Sequence, residues 1–364
     1  MFRVTILEQD PHAERRQAQA AGIGFGASMK EFLRRYDVTG RQISRPLGYM
    51  RVSFKTHAWD FLRIPVQRHI TSWGYLYRIL RANLAAEEGD GSVDYRSGKR
   101  VDGLEYSDGR SSVTVQFSDV KTQIRESISA DFVIAADGIH SSMHGLIQAS
   151  VVKENAGYVV WRGTVPEKAV SSNIANFFAT AGTAEMLWQS YMICYVIPTD
   201  DGSFEPGERL INWLWYYNVA EDSAEMIDIL TDVDGHQHKQ TVPAGSVRAG
   251  VWARCRDAML PSMAEPYAEL LRAATSPFVT KVSDAICQEN IFCDGRVVLS
   301  GDAYAAFRPH LAVATEHAAW QCLAIMDLWT GRLSKEEWNR QLKAQSTRLW
   351  LSSRLLGFCG QEVA

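Results

Sequence analysis

The sequence predicts an α/β protein in which a doubly wound, parallel sheet carries a second, mainly antiparallel β region. Three short apolar runs, at residues 2–7, 131–136 and 296–299, have the length and composition of buried parallel strands. Between the last two runs, residues 157–279 contain aromatic-rich segments such as INWLWYYNV, which favour antiparallel strands. The chain shows no internal repeat and no flexible linker, so both regions are expected to share one compact body.

Shorter patterns predict the remaining elements in chain order. Glycines at 22, 24 and 26 precede a helix predicted over residues 29–36. Apolar residues at helical spacing predict a helix over 69–84, with Trp73, Leu76, Leu80 and Leu84 on one face. Alternating stretches between 91 and 128, with a turn at 107–109, predict antiparallel hairpins. Further helices are predicted over 224–230 and 312–329.

Composition excludes several classes of protein. A net charge of -4 gives no basic excess for a nucleic-acid backbone, so no nucleic-acid partner is expected. No apolar run approaches the ~20 residues that span a bilayer, and the six cysteines lack CxxC spacing, which together predict a cytoplasmic protein without a membrane partner. His236 and His238 have no further ligand at suitable spacing, so no metal is expected. The absence of GxSxG argues against an α/β-hydrolase.

Acidic residues follow each of the three predicted parallel strands. Glu8 stands where nucleotide-binding folds place a carboxylate on ribose hydroxyls, although many strands end in Glu for solvation alone. Asp137 and Gly138 follow the second strand, where the alternative is a simple turn. Gly301 and Asp302 follow the third strand, where Asp302 can reach a sugar-alcohol hydroxyl. The free N–H groups at the start of the next helix can face an electron-rich ring. The alternative is that these residues only form a turn and a helix cap.

In this order and at these separations, the motifs resemble the flavin-dependent aromatic hydroxylases (group A FAD monooxygenases), in the 2,6-dihydroxypyridine 3-monooxygenase-like branch. The resemblance covers roughly residues 2–350. It implies a glutathione-reductase-like FAD/NAD(P)-binding domain at 1–155 and 285–350, with an inserted β substrate domain at 156–284 that receives a contribution from about 45–68.

The resemblance also implies cofactors, reaction and site residues. NADPH or NADH would reduce FAD, and O2 would then oxidise a small aromatic or heteroaromatic substrate through a flavin C4a-hydroperoxide. The implied cofactor residues are Glu8, Asp137, Gly138, Gly301, Asp302, Pro309, Ala314 and Thr315. The implied substrate pocket contains Trp161, Arg162, Trp215 and His310, although strand alternation lets either Trp213, Trp215 and Tyr217 or Tyr216 and its neighbours face a ligand. No residue is assigned a catalytic role.

The sequence departs from the family pattern at cofactor contacts. No strand and GxGxxG loop precede Phe2, so the implied domain is truncated at its front; Gly22–Gly26 is not a substitute, because there the acidic residue comes before the glycines. His144 replaces the usual arginine, and Ala312 and Ala314 replace two glycines. A flavin-fold protein without redox activity, serving as a binding protein or a non-oxidative enzyme, is the alternative. A homodimer is compatible with either hypothesis.

Overall fold

The computed structural model describes residues 3–12, 21–85, 91–107, 109 and 111–362. Its strands are β1 (Arg3–Glu8), β2 (Gly22–Phe25), β3 (Arg45–Phe54), β4 (His57–Ser72), β5 (Ser92–Ser97), β6 (Lys99–Glu105), β7 (Val113–Asp119), β8 (Arg125–Ala130), β9 (Val133–Ala135), β10 (Val151–Pro166), β11 (Gly182–Leu187), β12 (Ser190–Ile197), β13 (Leu210–Asn218), β14 (Thr241–Val242), β15 (Phe278–Cys287), β16 (Ile291–Phe292), β17 (Val297–Leu299) and β18 (Ala305–Ala306). Its helices are α1 (Ala27–Tyr36), α2 (Trp73–Ala85), α3 (Met143–Leu146), α4 (Ser172–Ala179), α5 (Ala224–Ile229), α6 (Ala249–Met259), α7 (Glu265–Ala273), α8 (Ala314–Trp329) and α9 (Lys335–Glu362).

The three predicted parallel runs lie in two separate parallel pairs. The first run, β1, has β5 as its partner, and the other two runs, β9 and β17, pair with each other. β1 pairs with β5, which aligns Glu8 with Ser97. β9 pairs with β17, which aligns Ala135 with Leu299, and β16 adds an antiparallel edge. Because the carboxyl ends of parallel neighbours meet at one sheet edge, the residues that follow β9 and β17 are brought side by side. The predicted α/β class is confirmed.

β9 is less buried than predicted. Ile134, at its centre, is 43% exposed, and only Ala135 is buried. Within the described residues β9 pairs with β17 alone, so Ile134 has no second strand beside it. The expectation of a fully buried strand is therefore wrong at this position.

The second predicted helix begins four residues late. β4 continues to Ser72, where it pairs with Gly22 of β2, and α2 starts only at Trp73. Its buried face consists of Tyr75, Leu76 and Ile79, whereas Leu80 is exposed. The strand pairing overrides the helical periodicity that residues 69–72 share with α2.

Residues 91–130 contain one antiparallel meander rather than hairpins throughout. β6, β7 and β8 pair antiparallel, as predicted, but β5 belongs to the parallel pair with β1. Residue 108, at the centre of the predicted turn, lies outside the described residues.

One mixed sheet organises the middle of the chain, in the order β14-β15-β10-β13-β12-β11-β3-β4-β2, with β18 beside β15. We call its two sides the front and back faces. The back face carries Trp161, Trp213 and Trp215, which pack with Trp252 of α6 in a core that also includes α4 and α7. The front face carries aromatic side chains of the opposite parity, among them Tyr158, Tyr191, Tyr195 and Tyr216.

The 28-residue helix α9, which the sequence analysis did not predict, packs on the front face. Asp284 of β15 accepts hydrogen bonds from Trp350 Nε1 of α9 and from Arg308 Nε, both at 2.7 Å. Asp284 and Arg308 are 0% and 2% exposed. Gly357 lies so close to this face that a Cβ there would stand 2.9 Å from His310 Nε2.

Candidate active site

The turn after β17 carries Asp302, between that strand and α8. Gly301 has a φ of +60°, which glycine adopts without steric cost. Gln321 of α8 fixes the turn by accepting hydrogen bonds from the Gly301 N–H at 2.6 Å and the Ser300 hydroxyl at 2.8 Å. The Asp302 side chain is exposed, yet the surrounding protein raises its pKa. A carboxylate inside a cleft has both properties, and no described residue donates a hydrogen bond to it.

The amino end of α8 is uncapped by any described side chain. Ala312, just before it, has a φ of +49°, in the left-handed region that favours glycine. Ala312 and Ala314 are both exposed, so the first N–H groups of the helix, including that of Thr315, lie beside accessible surface. Pro309 opens the short 3-10 turn that leads to this end.

Asp137 and Gly138 lie next to the Asp302 turn, because the Ser300 N–H donates to the Ala135 carbonyl at 2.9 Å. The Asp137 carboxylate accepts hydrogen bonds from the backbone N–H and hydroxyl of Ser142, at 2.7 and 3.2 Å. It therefore already stabilises the chain before α3. Gly138, with a φ of +83°, makes the bend between them.

Glu8 ends β1, as predicted, and accepts a hydrogen bond from the Asp10 N–H at 2.8 Å. Glu8, Pro11 and Arg100 line a shallow depression of about 440 Å³.

Strand β2 links the front face to the amino end of α8. The Gly22 N–H donates to Asn212 Oδ1 at 2.6 Å, and Arg162 Nη2 lies 3.4 Å from the Gly22 carbonyl. On the same strand, a Cβ on Gly24 would stand 3.2 Å from the Ala312 methyl. Because residues two apart on a strand are about 7 Å apart, the polar groups around Gly22 lie close to the α8 end.

Two buried donors on this front-face site have no partner. Arg162 Nε and Asn212 Nδ2 lack a hydrogen bond to any described residue. Leaving such groups unpaired costs about 1 to 3 kcal/mol each, so a bound ligand or water with acceptor atoms would be stabilised here. Tyr195 completes the site, with its hydroxyl 2.8 Å from the position of a Gly22 Cβ.

His310 was predicted to contact substrate, but the structure buries it. Both ring nitrogens are hydrogen-bonded to tyrosines: Nε2 lies 2.5 Å from the Tyr158 hydroxyl, and Nδ1 bonds the Tyr191 hydroxyl. Burial, reinforced by the charge of Arg308, lowers the pKa of His310 to about 3. His310 is thus a neutral member of the front-face core without a free ring nitrogen.

Trp161 and Trp215 were also predicted to line the substrate pocket, but they do not lie on the same face as Arg162. Both are 0% exposed on the back face, whereas Arg162 projects from the front face beside Phe278. Alternation along β10 makes this separation inevitable, since adjacent residues point to opposite sides. The parity of Tyr216, one of the two alternatives, is the one that shares a face with Arg162.

Three further residues were not predicted: Asn212 and Tyr195 of the front-face site, and Glu316 in the first turn of α8. Asn212 carried a usable signal, because it is the one amide within the apolar strand segment INWLWYY. Glu316 carried none, since its contacts with Gly26 and Ser28 span about 290 residues of chain.

No helix in the described part of the chain is long and apolar enough to cross a membrane. Across the same residues, no group of three or more His, Cys, Asp or Glu side chains is placed to hold a metal ion.

The site combines strand-end carboxylates, an uncapped helix end beside one of them and an adjoining polar sheet face. Strand ends and helix ends of this kind are typical of α/β proteins that bind nucleotide cofactors. Comparison with known proteins narrows this class. A family model described as FAD binding domain-like matches residues 155–284. The chain is 30% identical over 285 residues to 2,6-dihydroxypyridine 3-monooxygenase of Paenarthrobacter nicotinovorans, a match that covers 77% of this chain and 66% of that protein, just under two thirds.

Solved structures share the fold. The structure of 2,6-dihydroxypyridine-3-hydroxylase from Arthrobacter nicotinovorans has a TM-score of 0.82 at 24% identity, covering 99% of this chain and 92% of that chain. Klebsiella pneumoniae HpxO, solved with FAD and uric acid, has a TM-score of 0.70 at 16% identity, and the match covers 100% of this chain and 89% of that chain. The chain therefore has the fold of FAD-dependent aromatic hydroxylases, and its sequence is similar to that of one of them.

Proposed function

We propose that this protein is an FAD- and NAD(P)H-dependent monooxygenase that hydroxylates a small aromatic or heteroaromatic ring held on the front face. The observation that carries the proposal is the pair of contacts on β2. Gly22 touches the polar front-face site, and Gly24, two residues on, touches Ala312 before α8. A ring bound at Gly22 would therefore lie beside a flavin bound at α8.

The residues around the Asp302 cleft fit the flavin end of FAD. Asp302 offers an unpaired carboxylate to the hydroxyls of a ribityl chain, and the N–H groups at Ala314 and Thr315 suit the electron-rich edge of a pyrimidine ring. Glu8, at the end of β1, would accept hydrogen bonds from an adenosine ribose. When bound, FAD would supply the oxygen activation, which no side chain can provide.

The chain's own contribution is to bind and orient the ring. Arg162 and Asn212 present unpaired donors, so we infer a substrate with acceptor oxygens on the ring, such as a hydroxylated pyridine. The dihydroxylated pyridine named for the relatives has such oxygens. The buried tyrosines and His310 behind the site would limit the access of water.

The test combines flavin uptake, turnover and one matched variant pair. Purified protein with FAD is assayed for substrate-dependent oxidation of NADPH and NADH across hydroxypyridines and hydroxybenzoates, with 18O2 and mass spectrometry of the product. We expect incorporation of one labelled oxygen. Arg162→Gln should lower kcat/KM on the order of 10- to 100-fold, whereas Arg272→Gln, an exposed control, should leave it unchanged.

Failure to take up FAD, or uptake of FAD without oxidation of NADPH or NADH, would instead favour a flavin-fold protein without redox activity. Oxidation of NADPH or NADH without labelled product would contradict the hydroxylation. A cytoplasmic location and a homodimer stay predictions.

A further inference from the structure

A carboxylate from α8 caps the amino end of α1. Glu316, in the first turn of α8, accepts hydrogen bonds from three backbone N–H groups: Gly26 at 2.8 Å, Ser28 at 2.7 Å and Met29 at 3.1 Å. No side chain of α1's own N-cap residue performs this role. Both oxygens of the carboxylate are used, so the contact fixes its orientation as well as its position.

The contact occupies the amino end of α1, which follows the glycine-rich segment. The amino end of a helix attracts anions, and a glycine-rich approach is the usual arrangement around a phosphate. Here the protein's own carboxylate occupies that place. Burial acts to raise the pKa of Glu316, but the N–H donors of Ser28, Met29 and Gly26 outweigh it and lower the pKa, so the group stays ionised.

The same contact fixes the α8 end from one side. Gly24 of β2 approaches Ala312, the residue two before α8, and Gly26 approaches the Glu316 carboxylate. A Cβ on Gly26 would lie 3.3 Å from Glu316 Cδ and 3.1 Å from Arg68 Nη1, so this approach leaves little room for a side chain. Residues 312–316 therefore pack against a surface formed by β2 and α1, which we call the wall.

We propose that Glu316 is a positioning residue that holds the amino end of α8 in place for the flavin ring and thereby sets the affinity for FAD. The role rests on the proposed FAD-dependent function. Glu316 touches neither the Asp302 turn nor the front-face site in the described contacts, and it acts through the backbone at Ala314 and Thr315.

The test uses Glu316→Gln with Glu185→Gln as its matched control. Like Glu316, Glu185 comes from a distant element and accepts a helix-end N–H, that of Ala264 before α7. Unlike the partly buried Glu316, it is fully buried, and it lies toward the back-face core. Backbone hydrogen exchange is measured on each protein without FAD, and FAD affinity is measured by quenching of flavin fluorescence.

We expect Glu316→Gln to speed exchange at residues 26–30 and 314–317 and to raise the Kd for FAD at least tenfold. Glu185→Gln should leave both within twofold of the parent. Unchanged exchange, or faster exchange with an unchanged Kd, would overturn the positioning role. If the parent itself takes up no FAD, the proposed function fails along with the affinity effect, which distinguishes that result from a failure of Glu316 alone.

Discussion

His144 Nε2 lies 2.6 Å from the backbone carbonyl of Ala303, the residue after Asp302. A carbonyl only accepts, so Nε2 carries the proton. Two side chains thus hold the Asp302 turn. His144 bonds the residue after Asp302, and Gln321 bonds Gly301, the residue before it.

His144→Ala should therefore loosen the Asp302 turn. We expect a loss of about 1 to 3 kcal/mol in the free energy of unfolding, because the Ala303 carbonyl loses its side-chain donor. The Kd for FAD should rise together with this loss. Urea unfolding and a flavin titration provide the measurements. His140→Ala is the control: this exposed histidine bonds Gln240 and Lys153 rather than the Asp302 turn, and its loss should leave the Kd for FAD unchanged.

Ala312→Gly and Ala314→Gly should have opposite effects on stability. At a φ of +49°, Ala312 bears a steric cost that glycine avoids, so the net gain is about 0.5 to 1 kcal/mol after the entropy of the unfolded chain is included. Ala314 is helical, and glycine there should cost up to about 1 kcal/mol. Thermal unfolding of both proteins without FAD gives the comparison; equal signs would contradict the strain at Ala312.

Asp284→Asn should destabilise the protein by about 3 to 5 kcal/mol, because it leaves the buried guanidinium of Arg308 without its counter-charge. Glu265→Ala breaks the exposed pair with Arg272 and should cost less than about 1 kcal/mol. Denaturant unfolding curves of the two variants provide the measurement. A small loss at Asp284 would show that Trp350 and α9 do not depend on this pair.

Glu185 should make stability fall as the pH rises. Burial raises its pKa from 4.5 to about 8, against weaker lowering by the Ala264 N–H and Lys55. The folded protein therefore holds a proton that the unfolded chain releases. Its contribution is complete below pH 4.5 and disappears as the pH rises through about 8, at up to about 1.4 kcal/mol per pH unit. Urea unfolding from pH 5 to 8 should show a flatter profile for Glu185→Gln; parallel profiles would contradict the assignment.

Local sequence patterns predicted the strands that carry the cofactor motifs. The apolar runs before Glu8 and Asp302 form strands within a residue or two of the predicted bounds, because length and β-branched composition are local properties.

The faces of the sheet could not be predicted in the same way. Alternation in INWLWYYNV shows that Trp215 and Tyr216 point to opposite sides, but both sides are apolar, so the pattern does not say which side packs on α6. The burial of His310 likewise depends on tyrosines from β10 and β12 that lie over 100 residues away. Such choices are made by tertiary packing.

The contact between Glu316 and α1 also has a consequence for the order of synthesis. Residues 26–29 leave the ribosome some 290 residues before their capping carboxylate. Throughout that interval the amino end of α1 must be satisfied by water, and the wall beside β2 cannot take its final form. The surface around the amino end of α8 is therefore completed only by the last third of the nascent chain, after the strands of the mixed sheet have emerged.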